Sequence, residues 1–403
     1  MMPDANNTEN TTPETVIAND SGPADVAPTA APAREGRGPG GGRGGNRGPG
    51  GGNRGGGDRN RGGRGRDDRS RGRAAPGRPN VLARVGPAGK RTLMFNGHID
   101  VVGVDGMVHA PFDGVEVDGR LYARGASDMK GGVAAMCGAA ARAMRQGLDC
   151  ELIIAAVVDE EFESAGTRAL IASGVRADAA IVTEPTQLAI GPAHRGFTWA
   201  EFECHGRAAH GSRYDIGVDA IMHAAAVLQQ LQTLDATELS ARTHPLLGHA
   251  SLHASTITGG SGWSTYPERC VLRVERRTLP GETADTVMEE FQQVCDAAMQ
   301  SVAGLVVQVR HVFTQSPSDV SVQAPVVRAL GASLEACGQA APIAGVSAWT
   351  DAALLNHADI PAICFGPGDM GLAHAAEEWI VLSQVERATE TLTHLACTWS
   401  SAR

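Results

Sequence analysis

His98 and Asp100 stand two residues apart at the end of the apolar run LMFNGH, and Asp128 follows in the glycine-rich stretch RGASDMKGG. In a strand, residues i and i+2 project from one face, so His98 and Asp100 point together from the strand's carboxyl end, where open α/β sheets place their sites. The glycines around Asp128 permit a sharp turn ahead of an alanine-rich helix, which presents its carboxylate from a helix start. An imidazole and two carboxylates converging on a crevice form a donor set for a divalent metal. A helix cap at Asp128 and an ordinary loop histidine would account for the same residues equally well.

Two further strand ends carry the same kind of residue. Glu151 to Val158, ELIIAAVV, is continuously apolar and reads as a central strand buried on both faces. It runs directly into Asp159-Glu160-Glu161, and three acids at the end of a buried strand are costly without a compensating cation. Adjacent residues there point in different directions, so one glutamate can hold a metal while its neighbour faces a water; a solvated acidic loop is the plainer alternative. The apolar strand Ala179 to Val182 ends in Thr183-Glu184-Pro185, a third strand that ends in a metal-competent residue.

The elements that must position these residues follow from pattern. Asn80 to Val85 and Arg91 to Phe95, joined by the turn GPAGK, read as strands, and helices are expected over Lys130 to Gly147 and Gly166 to Ser173. From Gly196 to about Phe313 the pattern is strand Phe197–Cys204, helix Gly217–Leu234, strands Ala250–Ile257 and Arg269–Arg277, helix Thr283–Gln300 and strand Leu305–Val312. That order spells βαββαβ, a ferredoxin-like unit inserted between two halves of an α/β domain. The expected divisions are 1–79, 80–195, 196–313 and 314–403. The last of these returns to α/β, with helix Pro325–Cys337, a Thr350-Asp351 turn, strand Ala362–Phe365, the turn Gly366-Pro367-Gly368, and His374 ahead of a closing helix.

Composition narrows the class. Hydrophobic residues make up 42% of 403, enough for a substantial core, and no apolar run reaches the length of a membrane span. The start, MMPDANNTENTTPETV, has neither a basic nor an apolar stretch, so no secretory signal is expected. The eight cysteines are scattered and never form CxxC; they read as small reduced core residues of a cytoplasmic protein. Charge is divided sharply: Arg34 to Arg78 holds 13 Arg against four acids, whereas residues 79–403 hold 22 basic and 36 acidic residues. Residues 1–79 contain few large apolar side chains, so that Arg/Gly-rich tail is expected to be disordered. Its repeats resemble the RGG segments of RNA-binding proteins but lack interleaved Phe or Tyr, which leaves weak, salt-sensitive nucleic-acid binding as a side property. The competing function class is an RNA-binding protein acting through this tail, with an inactive hydrolase remnant behind it.

Eight motifs in order, GHIDVV, RGASDMKGG, VVDEEFESAGT, VTEP, AAHGSR, ERRTLPGE, the Asp351 turn and FGPGDMGLAHAAEEWI, resemble the di-zinc family of acetylornithine deacetylase, succinyl-diaminopimelate desuccinylase, aminoacylase and glutamate carboxypeptidase. The resemblance runs from about Pro79 to the C-terminal helix. It implies an α/β, zinc-peptidase-like catalytic domain with a mixed sheet flanked by helices, and a lid or dimerisation domain inserted at 196–313. It further implies His98 and Glu184 on one zinc, Glu161 and His374 on the other, and Asp128 bridging both, with cobalt or manganese as substitutes. Asp100 would orient His98 through its second ring nitrogen, and Glu160 would be the general base. His210, in AAHGSR, would reach a neighbouring subunit's site and stabilise an oxyanion, which implies a homodimer. Arg277 would clamp a substrate carboxylate, with Arg276 as the alternative, because a one-residue shift changes the strand face. The implied reaction is hydrolysis of the amide of an N-acyl amino acid or small peptide, within amino-acid metabolism. Members of this family carry a helix and strand ahead of the His-x-Asp motif, and here that stretch is the Arg-Gly tail.

Overall fold

The computed structural model describes residues 77–401 and the strand Glu14–Ile17, β1. The disordered tail expected for 1–79, and the nucleic-acid binding expected of it, otherwise fall almost wholly outside the described residues. β1 is a departure from the sequence reading, which saw no strand there: its Thr, Val and Ile are β-branched, but four residues are too few to show a period.

In chain order the first half contains β2 (Val81–Val85), β3 (Thr92–His98), α1 (Gly131–Gln146), β4 (Glu151–Val157), α2 (Ala165–Ala172) and β5 (Ala179–Val182). The middle contains β6 (Gly196–His205), α3 (Ala220–Thr237), β7 (Ser251–Gly259), β8 (Arg269–Thr278), α4 (Ala284–Ser301) and β9 (Val306–Gln315). The last part contains α5 (Pro325–Ala336), α6 (Ala352–His357), β10 (Ala362–Cys364) and α7 (Leu382–Thr398).

The first sheet has the order β1-β2-β4-β3-β5-β10. Strands β4, β3, β5 and the edge strand β10 run parallel, and β2 joins antiparallel to β4, so the sheet is mixed. Alternation along the strands divides the core between two faces. Phe95, Leu152 and Ile154 meet α1, α5 and α7 through Met136, Leu330 and Leu392. Met94, Ile153 and Ala155 face Leu170 of α2 and Leu355 of α6. Strands covered on both sides must be apolar throughout, which is why ELIIAAV carries almost no polar residue.

The second sheet has the order β7-β8-β6-β9 and is antiparallel throughout, the strand order of a ferredoxin-like βαββαβ unit. Phe202 and Leu272 project from one face onto Val227 of α3 and Phe291 of α4. Both helices are capped as their sequences require: Asp219 accepts the N–H groups of Ile221 and Met222, and Thr283 forms a reciprocal capping box with Thr286.

Two local differences from the expected elements bear on the site. β3 continues three residues past Phe95, so His98 is its last residue and lies in register with Val157 of β4. A small three-stranded sheet, Val115–Val117, Arg120–Tyr122 and Trp379–Val381, was not anticipated. Its first hairpin turns through Asp118 and Gly119, both at positive φ, the Asp-Gly signature of a tight two-residue turn.

Candidate functional site

The parallel strands β3, β4 and β5 deliver their last residues to one edge, and the turns that follow carry the candidate chemistry. His98 is buried. Its Nδ1 lies 3.1 Å from the carbonyl oxygen of Asp100, which can only accept, so Nδ1 carries the proton and Nε2 faces Asp128 Oδ1 at 3.1 Å. Asp128 lies in the turn Ala126–Lys130 rather than within α1, and its other oxygen is 3.5 Å from His374 Nε2. His374 Nε2 is in turn 3.0 Å from Glu161 Oε2. Asp128 therefore stands between two imidazoles, one from a strand end and one from the loop before the last helix. Ligand atoms of His98, Asp128 and Glu161 all lie within 4.8 Å of one another.

The Asp100 carboxylate is 3.7 Å from His98 Nδ1, and the shorter contact to that nitrogen is Asp100's own backbone oxygen. The carboxylate instead accepts from the backbone N–H of Glu161 at 3.2 Å and of Glu160 at 3.4 Å. It ties the acidic turn to the end of β3. Glu160 Oε2 lies 4.0 Å from His98 Nε2. Glu184 is buried at the end of β5, and α1 comes close to it because Gly132 has no side chain: a Cβ there would lie 1.9 Å from the Thr183 oxygen.

A cleft of about 400 Å³ gathers Asp128, Glu160, Glu161, Glu184, His374 and Arg277. Arg277, on the second sheet, is the one cation besides histidine on its walls among the described residues. Arg276 is fully buried on the opposite strand face and pairs with Glu282 at 2.5 Å and Glu290 at 3.4 Å, so of the two arginines only Arg277 faces the cleft. His210 is exposed, bonded through Nδ1 to Ser212 Oγ at 2.8 Å, and is not among the residues lining this cleft.

Electrostatics in the cluster are those of an excess of carboxylates. Burial would lower the His98 pKa, but the hydrogen bond with Asp128 and the charges of Glu160 and Glu184 outweigh it and hold it well above the ordinary value. His374 is pushed up to about 10 by its hydrogen bonds with Asp128 and Glu161. Asp128 moves the other way: burial raises its pKa, and the hydrogen bonds with His374 and His98 overcome that and hold it far below the usual range. Burial, followed by neighbouring negative charge, pushes Glu184 well up; burial also raises Glu160, against the opposing His98 charge. Asp351, buried beside them and bonded to Thr167 Oγ1 at 2.6 Å, is raised to about 6, chiefly by burial.

Glu161 Oε1 is buried and has no hydrogen-bond partner among the described residues. An orphaned carboxylate oxygen beside two imidazoles and further carboxylates fits a divalent cation of the kind held by mixed nitrogen and oxygen donors.

Sequence reasoning missed Glu378. Its fully buried carboxylate accepts from Arg124 Nη1 at 2.8 Å and from the backbone N–H groups of Gly125, Ser127 and Asp128 at 2.9, 3.0 and 3.1 Å. Four donors on one carboxylate fix the turn that presents Asp128. The only sequence signal for this was the Asp118-Gly119 hairpin, to whose second strand Trp379–Val381 pairs.

Comparison with known proteins identifies the family and the fold. The model of peptidase family M20/M25/M40 matches residues 94–398. An acetylornithine deacetylase of Myxococcus xanthus is 32% identical over 310 residues, covering 76% of this chain and 79% of that protein. Among solved structures, an M20 family metallo-carboxypeptidase from Sulfolobus solfataricus superposes with a TM-score of 0.66 at 19% identity, covering 80% of this chain and 88% of the other. A dinuclear metal-binding M20 peptidase of Bacillus subtilis does so with a TM-score of 0.62 at 17% identity, covering 80% and 86%. A family match over three-quarters of the chain, on the fold and around the donor cluster just described, places the protein in peptidase family M20/M25/M40, as a metal-dependent hydrolase of amide bonds.

Proposed function

We propose that the chain hydrolyses the amide of an N-acyl amino acid or small peptide with a free carboxylate, using two zinc ions, for which cobalt or manganese can substitute. The observation that carries this reading is Asp128 set between His98 and His374, at 3.1 and 3.5 Å. His98 and Glu184 would hold one ion, Glu161 and His374 the other, and Asp128 both. The ions, when bound, lower the pKa of water and polarise the scissile carbonyl.

The remaining work belongs to side chains of the protein. Glu160 is close to the cluster without being needed as a ligand, so its Oε2 takes the proton of the attacking water and delivers it to the leaving nitrogen. The hydrogen bond from His98 Nδ1 to the Asp100 carbonyl holds the ring with Nε2 toward the ligand side. Asp100's carboxylate keeps Glu160 and Glu161 in place through their backbone. Arg277 receives the substrate carboxylate from across the cleft. His210, which is outside its own chain's cleft, donates to the developing oxyanion of a second copy; the working unit is a homodimer in the cytoplasm.

The test is release of free amine from a panel of N-acetyl amino acids by zinc-loaded protein and by Glu160→Gln. The variant is expected to be slower by roughly 10²–10⁴-fold, with its zinc content intact. No amine from any substrate would overturn the hydrolase reading, and an unchanged rate in Glu160→Gln would overturn the assignment of the base.

A further inference from the structure

The face of the second sheet turned away from α3 and α4 is not a uniform solvated surface. Along β6, residues 197, 199 and 201 project to this side, and along β8 residues 277, 275 and 273 do so, because the intervening residues are buried against the helices. In a chain that is only 4% aromatic, three rings sit here together. Phe197 and Trp199 have centroids 5.1 Å apart, and Phe313 lies 6.0 and 5.7 Å from them. Trp199 is 41% exposed, and beyond it a groove of about 430 Å³ runs between Trp199, Val312 and the stems of Glu275 and Arg273.

This shelf is joined to the cleft by one residue. Arg277 lines the cleft, and its guanidinium carbon lies 5.3 Å from the Phe197 ring centroid. Glu275 bridges the two parts: one oxygen accepts from Arg277 Nε at 2.6 Å and the other from Trp199 Nε1 at 2.8 Å. Indole and guanidinium are thereby held in a fixed relation, and Arg277 keeps its terminal nitrogens without a hydrogen-bond partner among the described residues. The charges farther out on the face are taken up in ion pairs with one another, Glu201 with Arg273 and Arg310, and Glu203 with Arg269.

We propose that this aromatic shelf is a specificity subsite that receives an aromatic side chain on the same carbon as the carboxylate bound by Arg277, so that the preferred substrates are N-acyl aromatic amino acids or peptides ending in one. The inference rests on the reading of Arg277 as the carboxylate site. Because Arg277 is in contact with Phe197 and is tied through Glu275 to Trp199, an aromatic ring on that carbon would be within reach of both rings, where faces and edges pair favourably and the pinned indole loses little freedom on binding.

Binding of 3-phenylpropanoate and of propanoate to the zinc-loaded full chain, followed by titration calorimetry, tests this without any bond being cleaved. The phenyl acid is expected to bind about tenfold tighter. That preference falls to within about twofold in Trp199→Ala and survives in Trp199→Phe, which keeps a ring but not the N–H; thermal unfolding of both variants checks that they are folded. Equal affinity for the two acids, or a preference that persists in Trp199→Ala, would overturn the subsite. A Trp199-dependent preference with no hydrolysis of N-acetylphenylalanine would support the subsite and count against the proposed reaction.

Discussion

Glu378 accepts the backbone N–H of Asp128 at 3.1 Å, although the two residues are 250 positions apart. The same carboxylate pairs with Arg124 at 2.8 Å, and both side chains are almost fully buried. Removing the charge of one partner leaves the other unpaired in a medium that cannot solvate it. Glu378→Gln is therefore expected to lose about 3–5 kcal/mol of stability, read by denaturant unfolding, and to weaken metal retention because the Asp128 turn is released. Unchanged stability would mean that Arg124 finds another partner.

A second clasp holds the acidic turn. Asn80 Oδ1 accepts from Val158 N at 3.2 Å and its Nδ2 donates to Gly166 O at 2.8 Å, spanning the two ends of the segment that carries Glu160 and Glu161. Arg78 adds a 2.5 Å contact to Asp159, which sits at a φ of 70°. Asn80→Ala is expected to cost about 1–3 kcal/mol and to lower kcat while KM is little changed, since the proposed base Glu160, and not the proposed carboxylate site at Arg277, is disturbed. A rise in KM alone would point to a different role.

The neighbouring arginines separate by face. Arg277→Ala should raise KM for carboxylate-bearing substrates by roughly tenfold or more with little change in Tm, because its side chain borders the cleft. Arg276→Ala leaves Glu282 and Glu290 with the part-exposed Arg242 and without their buried partner, and should fail first in stability. If both variants showed only a KM effect, the face assignment would be wrong.

Much of this arrangement was legible in sequence because it depends on local rules. Apolar runs ending in His98, Glu160-Glu161 and Glu184 gave parallel strands with chemistry at one edge, and the βαββαβ pattern emerged from periodicity alone. The rest depends on tertiary pairing. Nothing in Glu377-Glu378 distinguishes an exposed acid from one buried under the Asp128 turn, because the distinction is made by Arg124 and three backbone N–H groups. Likewise the strand face of Arg276 and Arg277 could not be chosen until register was known, with Arg277 opposite Phe197. Asp100 is expected to orient His98 through its second ring nitrogen; in the structure its backbone oxygen makes the shorter contact to that nitrogen, while the side chain holds the turn after β4.

Acid sensitivity should come in part from His194. Its ring is buried edge-on to Trp349, with Nδ1 bonded to the Arg195 carbonyl at 3.0 Å. Burial lowers its pKa to about 4, against the opposing effect of that hydrogen bond. In the unfolded chain it would take a proton near its ordinary value of 6.5. Between those values the unfolded state binds more protons, so this contribution is complete above about pH 6.5. It declines by about 1.4 kcal/mol per pH unit as pH falls toward 4. His194→Gln is expected to flatten that limb of a stability–pH curve; an identical slope in the variant would show that other groups set it.

The most direct measurement is bound zinc per chain in purified full-length protein, by elemental analysis after loosely held metal is removed. About two ions per folded chain are expected from donors arranged on both sides of Asp128. A soluble, folded protein that retains almost none would contradict the metal centre and, with it, the hydrolase reading.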